Sequence, residues 1–227
     1  SLILGGMVAT QAVADDYACQ VNTLIGTKGT GLTSGYLYPG ATYPYGMVQF
    51  TPSYFSKRSG FVINQLSGGG CEHMGNFPTF PVKGKLKMSP DNILNYRINI
   101  SEEKGHAGYY EAMVQKDIKA KLTVTERTGM ASYEYPADQQ YGTIIIGGGI
   151  SATPIEQAAI VITAPNKCEG YAEGGNFCGL RTPYKVYFVA EFDTDALETG
   201  TWKREELMPN TTFAEGEYSG VYFTFDV

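Results

Sequence analysis

The segment 108–125, GYYEAMVQ followed by Lys116-Asp117 and IKAKLTVT, decides the fold class. In its second half Ile118, Ala120, Leu122 and Val124 fall on one side of an extended chain. Lys119, Lys121, Thr123 and Thr125 fall on the other. Successive side chains of a strand point to opposite sides of the pleat, so this period-two pattern describes a strand with one buried and one wet face. Lys116-Asp117 between the two runs predicts a hairpin turn. Outward from this hairpin, residues 61–66, 78–88, 95–100, 129–135, 142–146, 157–163, 184–192 and 218–225 read as further short strands. Ser89-Pro90-Asp91-Asn92 and Pro136-Ala137-Asp138 punctuate them. No long stretch carries a 3.6-residue apolar period, and the expectation is an all-β antiparallel sandwich with little helix.

Composition narrows the function. Of 227 residues, 43% are hydrophobic, enough for a sizeable core in one domain, and 17 basic against 23 acidic residues leave a net charge of −6. With no basic run, a nucleic-acid partner is disfavoured. No apolar run reaches the roughly 18 residues that a membrane span needs. Residues 1–14, SLILGGMVATQAVA, end in an A-x-A pattern ahead of Asp15-Asp16 and read as the remnant of a signal peptide. An ordinary buried strand is the alternative. The expectation is therefore an exported protein whose single domain runs over 15–227. Cysteine usage fits export. Cys168 and Cys178 flank EGYAEGGNF, read as a glycine-rich loop, and form the natural local disulfide; Cys19 and Cys71 are permitted to pair but nothing indicates it. With no C-x-x-C and only His73 and His106, a zinc site is disfavoured.

Two neighbouring stretches stand out from the strand pattern. The first, 38–52, is YPGATYPYGMVQFTP; the second, 66–75, is LSGGGCEHMG. Consecutive glycines let a backbone approach a ligand closely, so such a loop in a β protein is either a bend or the wall of a site. Ser67, Gly68, Gly69, Gly70 and Cys71 are the first candidates to face a ligand, with Glu72, His73 and Asn76 along the same wall. Asn64 and Gln65 lie at its mouth, and strand alternation would turn only one of them inward. His106, ahead of a Gly-Tyr-Tyr strand, reads as structural.

Taken in order, VNTLIGT, YPGATYPYGMVQFTP, LSGGGCEHMGNFPTFPVKG, GYYEAMVQKDIKAKLTVTERTGMASYEYP and FCGLRTPYKVYFVAEF closely resemble the N-terminal domain of glycoside hydrolase family 92, over about residues 21–192. The resemblance implies a large antiparallel super-sandwich of the galactose-mutarotase-like kind. It implies a role in an exported, calcium-dependent, inverting exo-α-mannosidase acting on mannose-containing glycans, with α-1,2 the expected linkage. In that family the acid and base carboxylates and the main calcium ligands belong to a C-terminal (α/α)6 barrel, the partner of this domain within one polypeptide. No catalytic residue and no metal ligand is then expected in this chain. Its contribution is a substrate-binding wall at Gln65, Ser67–Cys71, Glu72 and His73. The family's G-F-S-H-T-H-L-S-G-T-G-C stands here as GFVINQLSGGGC, with Ile63 and Gln65 in place of two histidines, which puts the outer-subsite contacts and the linkage in question. A self-standing carbohydrate-binding module is the alternative.

Overall fold

In the computed structural model, residues 17–27, 37–53, 60–65, 75–91, 99–147, 155–177 and 179–227 are described. A turn of 3-10 helix, Tyr17–Gln20, is followed by β1 (Ala41–Thr42), β2 (Gln49–Pro52), β3 (Phe61–Val62), β4 (Thr79–Lys83), β5 (Ile100–His106), β6 (Tyr109–Val114), β7 (Ile118–Val124) and β8 (Gly129–Glu134). The second half carries β9 (Tyr141–Gly147), β10 (Ile155–Ala164), β11 (Lys167–Phe177), β12 (Leu180–Glu191), β13 (Glu198–Lys203), β14 (Glu206–Pro209), β15 (Phe213–Glu215) and β16 (Ser219–Asp226). The chain is all-β, as expected.

The strands form three layers. A central sheet in the order β1-β2-β3-β4-β9-β16-β13-β14 lies between a β5-β6-β7-β8 sheet and a β12-β11-β10-β15 sheet, with antiparallel pairing throughout the described ladders. Two cores result. Tyr110, Val114, Ile118 and Leu122 meet Phe50, Phe61, Ile145, Trp202 and Tyr222 on one face of the central sheet. Ile160, Ile162, Cys168 and Ala214 meet Ile146, Val221, Phe223 and Phe225 on the other. Because both of its faces are covered, the centre of the sheet has no wet side. That is why β9 reads as an unbroken isoleucine run, and why the first seven residues of β16 are all buried.

The β6–β7 hairpin matches its sequence reading. Ile118, Ala120 and Leu122 are buried, and Val114 pairs with Ile118. The turn is centred one residue earlier than expected, on Gln115 and Lys116. Both have positive φ, and Asp117 N–H donates back to the Val114 carbonyl.

The cysteine loop is corrected outright. EGYAEGGNF is the body of β11, paired along its length with β10 and β12, and Cys168 is a free buried thiol. The strand carries the chain about 30 Å between residues 168 and 177, whereas a disulfide holds its Cα atoms within about 7 Å. Cys178 itself lies outside the described residues. Three glycines suggested a loop, but Gly170 is needed inside the sheet: a Cβ there would stand 2.3 Å from the Ala159 carbonyl oxygen and 2.9 Å from the Phe188 ring.

Burial pushes the Cys168 thiol up to about 12 from its ordinary 9.0, with Glu169 adding to the shift. The folded state thus holds this proton to higher pH than the unfolded state does. Its contribution to stability is complete below pH 9 and is lost as pH rises toward 12, by about 1.4 kcal/mol per pH unit in that window. A thiol alkylating reagent at pH 8 is expected to leave Cys168 unmodified in the native chain and to modify it after denaturation. Fast labelling without denaturant would contradict the burial.

Candidate functional site

The first of the two unusual stretches lies at one end of the central sheet, with Gln65 and Gly75 beside it. β1 and β2 are joined by the turn 43–48, TYPYGM-V minus its first threonine, in which Gly46 N–H donates to the Tyr43 carbonyl at 2.9 Å. Proline at the second position and positive φ at the third is the pattern of a type II turn, where the third position ordinarily takes glycine. Here that residue is Tyr45, at φ 58° and wholly exposed, with Tyr43 and Met47 also open to solvent. Met47 N–H donates to the Glu126 carbonyl at 2.7 Å, bracing the turn against the β7–β8 connection.

Beside this turn the chain leaving β3 is held from within. Gln49 N–H donates to the Ile63 carbonyl, and the Gln49 side-chain oxygen accepts from Gln65 N–H at 3.3 Å. Asn64 and Asn76 form a buried two-way clamp. Asn76 N–H donates to Asn64 Oδ1 at 2.8 Å, and Asn64 Nδ2 donates to Asn76 Oδ1 at 3.0 Å. Gly75 N–H adds a bond to the Asn64 carbonyl at 2.6 Å, and the Tyr184 hydroxyl of β12 donates to Asn76 Oδ1 at 3.0 Å.

These contacts revise the reading of the loop's two ends. Asn64 and Gln65 are both buried, Gln65 to 2% exposure, rather than one in and one out. Regular strand ends at Val62 and the chain bends at Ile63, so period-two alternation stops applying. Asn76, expected along the wall, is fully buried and acts as the hub of the clamp. Ser67, Gly68, Gly69, Gly70, Cys71, Glu72 and His73 lie outside the described residues.

On the β1 side a cavity of about 410 Å³ opens next to the same sheet end, lined by Asn22, Thr23, Tyr38, Thr42 and His106 among others. Thr42 is the register partner of Gln49, which links the cavity to the chain that supports Gln65. Burial raises the Tyr38 phenol above its ordinary value. His106 Nδ1 donates to the Ala107 carbonyl at 3.0 Å, and its ring stacks on Tyr109 with centroids 5.1 Å apart. These contacts fit a structural histidine. Among the described residues no aspartate or glutamate lines the cavity. Among the described residues no group of three His, Cys, Asp or Glu side chains could hold a metal ion. Asn22, Thr23, Thr42 and His106 give the cavity lining groups that can donate or accept hydrogen bonds.

Sequence reading passed over Tyr45, Gln49 and Tyr184. The Pro-Tyr-Gly triplet at a turn's second to fourth positions was the available signal for the first. Nothing local marks the other two.

The fold is an all-β domain with an aromatic turn and a cavity of mixed lining at one sheet end. The model of the glycosyl hydrolase family 92 N-terminal domain matches residues 20–227, and the chain belongs to that family. An uncharacterized secreted glycosidase of Arthroderma benhamiae is 30% identical over 159 residues, which are 60% of this chain and 20% of that protein. A family 92 α-mannosidase of Bacteroides thetaiotaomicron superposes with a TM-score of 0.78 at 23% identity, covering 96% of this chain and 32% of its own. An inverting mannosidase of the same family and species gives 0.77 at 24%, covering 96% of this chain and 30% of its own. The chain thus spans about a third or less of the length of these relatives.

Proposed function

We propose that this domain forms part of the substrate-binding wall of an exported, calcium-dependent, inverting exo-α-mannosidase acting on α-1,2-linked mannosides. The family match across residues 20–227 carries the reading. The relatives add to it: solved structures of this fold are α-mannosidases, one of them inverting and one bound to mannoimidazole, and the fungal relative is a secreted glycosidase. Inversion needs one carboxylic acid to protonate the leaving oxygen and one carboxylate to activate water, about 6.5–9.5 Å apart. As the family resemblance implies, both are assigned to a C-terminal helical domain of the same polypeptide. Calcium is assigned there too. In this chain the exposed Tyr45 ring supplies the aromatic platform for the outer sugar, and Asn22, Thr23, Thr42 and His106 in the otherwise apolar cavity supply hydrogen-bonding groups.

The test is hydrolysis of α-1,2-mannobiose, with calcium, by this chain and by the longer reading frame. Activity confined to the longer protein is expected. Activity in this chain alone would sink the reading, and saccharide binding without activity in either protein would favour the self-standing module.

Tyr45 supplies a second, independent check. Glycine suits φ 58° better than tyrosine, so Tyr45→Gly is expected to leave the domain unchanged or stabilise it by up to about 1 kcal/mol. In the longer protein the same change is expected to raise KM for mannobiose roughly three- to tenfold, the loss of one aromatic contact. Unaltered kinetics would remove Tyr45 from the site.

A further inference from the structure

The two outer sheets present different faces to solvent. On the β5–β8 sheet the outward side chains are laced by ion pairs: Glu111 with Lys104 and Lys119, at 3.7 and 3.6 Å, and Lys121 with Glu134. Such a face is solvated and self-contained.

The β12-β11-β10-β15 sheet is otherwise. Its register sets Val189, Glu169, Val161 and Phe213 side by side across the four strands, and Tyr187, Tyr171, Ala159 and Glu215 at the next outward level. The small residues of β10 make a floor. Tyr171, Tyr187 and Val189 rise on one side and Phe213 on the other, enclosing a groove of about 440 Å³. Its walls are open to solvent: Tyr187 is 69% exposed, Val189 61% and Phe213 55%.

We propose that this groove seats an α-helix of the domain that accompanies this one in longer family members, with an apolar stripe on the floor and Lys or Arg side chains over Glu169 and Glu215. The inference rests on the reading of this chain as one domain of a longer mannosidase. Three observations select that occupant.

The walls on β11 and β15 stand two strand spacings apart, about 10 Å between backbones, so a helix lying over the groove can lower one apolar stripe of side chains between Tyr171 and Phe213. The charges are unbalanced in one direction. Glu156, Glu173 and Glu191 are matched by Arg181, Lys185 and Lys167, whereas Glu169, set among Val161, Val189 and Tyr171, has no cation among the described residues. A second copy of the chain would bring the same acids against each other, and an aliphatic floor offers a glycan few hydrogen-bonding groups. Finally, this chain spans 32% and 30% of the two mannosidases, so family members carry ample further chain to cover the face. β12 passes from Tyr184, at the Asn76 clamp, to Tyr187 in the groove within three residues, so a domain seated here lies close to the proposed sugar-binding end.

The test is residue-resolved tyrosine nitration of the longer protein and of this chain. Tyr187 is expected to react about tenfold more slowly in the longer protein. Glu169→Lys, an exposed substitution that leaves the melting temperature of this chain unchanged, is expected to restore its reactivity there. Equal reactivity in both proteins overturns the proposal. So does protection in this chain that grows with its concentration, which would mean a second copy, or protection that appears only with added mannobiose. Assaying mannobiose hydrolysis on the same samples separates the two readings. An active enzyme with reactive Tyr187 overturns the docking alone, and an inactive protein with Tyr187 protected through Glu169 keeps it.

Discussion

Gly220→Ala is expected to destabilise the domain by about 3 kcal/mol or more, at or beyond the upper end for overpacking a core. Two large rings of the first core lie directly over glycines of the neighbouring strand. Trp202 of β13 is the register partner of Gly220 of β16, and Tyr222 of β16 is the partner of Gly200 of β13. A Cβ on Gly220 would stand 2.3 Å from the Trp202 ring and 2.4 Å from the Ile146 carbonyl oxygen of β9. Neither neighbour can retreat, since Trp202 is fully buried and Ile146 is fixed in the ladder between β9 and β16. The measurement is denaturant unfolding of the two single variants and the double variant with Trp202→Leu. A smaller residue at 202 relieves the ring clash but not the carbonyl clash, so the double variant should recover part of the loss, with a coupling of at least about 1 kcal/mol. A Gly220→Ala domain within about 0.5 kcal/mol of the parent would show that the ring can be accommodated elsewhere.

These glycines also show where the sequence stopped being readable. A strand with one wet face announces itself by alternation, so β6, β7, β8 and β12 are plain in the chain. β9 and β16, covered on both sides, announce themselves by continuous apolar runs. Residues 198–215, ETGTWKREELMPNTTFAE, do neither, and β13, β14 and β15 passed unseen in them. β13 buries Thr199 in part and Gly200, Thr201 and Trp202 fully, and its partner β14 is an edge strand with no fully buried residue. Glycines in β11 and β13 were legible as loop formers because their local freedom is what a single sequence displays. Their use here, making room for a facing ring or backbone, depends on strands far away in the chain. The third layer was unreadable for the same reason. Nothing local distinguishes a strand covered on both sides by two different sheets from the core strand of an ordinary sandwich.

The candidate site was legible in its position and less so in its parts. Proline, glycine and tyrosine density marked 38–52 and a glycine run marked 66–75, and the structure sets Gln65, just ahead of the second stretch, against Gln49 in the first. Which side chains face outward was not legible. Polar residues at a loop's foot look like ligand contacts in a sequence, yet Asn64, Gln65 and Asn76 are buried support. An aromatic in a turn looks like packing, yet Tyr45 is fully open. Polarity in the sequence says that a group needs a partner; whether the partner is protein or ligand is decided by the fold.

The Asn64–Asn76 clamp turns that distinction into an expected result. Asn64→Ala removes the acceptor that serves the buried Asn76 N–H and one of the two donors to Asn76 Oδ1, which keeps the Tyr184 hydroxyl, at a cost of about 2–3 kcal/mol. Tyr184→Phe removes one bond to an oxygen that still accepts from Asn64, and should cost about 1 kcal/mol. The order Asn64→Ala well above Tyr184→Phe, read by denaturant unfolding, checks the geometry by itself. The clamp also fixes the separation of residues 65 and 75, the two ends of the glycine-rich stretch. If that stretch contacts the sugar, loosening its ends must weaken substrate binding in the longer protein. Asn64→Ala is then expected to raise KM for mannobiose by about tenfold at temperatures where the variant is fully folded, with a smaller effect on kcat if the carboxylates lie on another domain, as proposed above. Lost stability with unchanged KM would leave the clamp as a fold element only and would take the glycine-rich stretch out of the binding wall. A fall in kcat at constant KM would place the stretch nearer the reacting bond than the outer sugar.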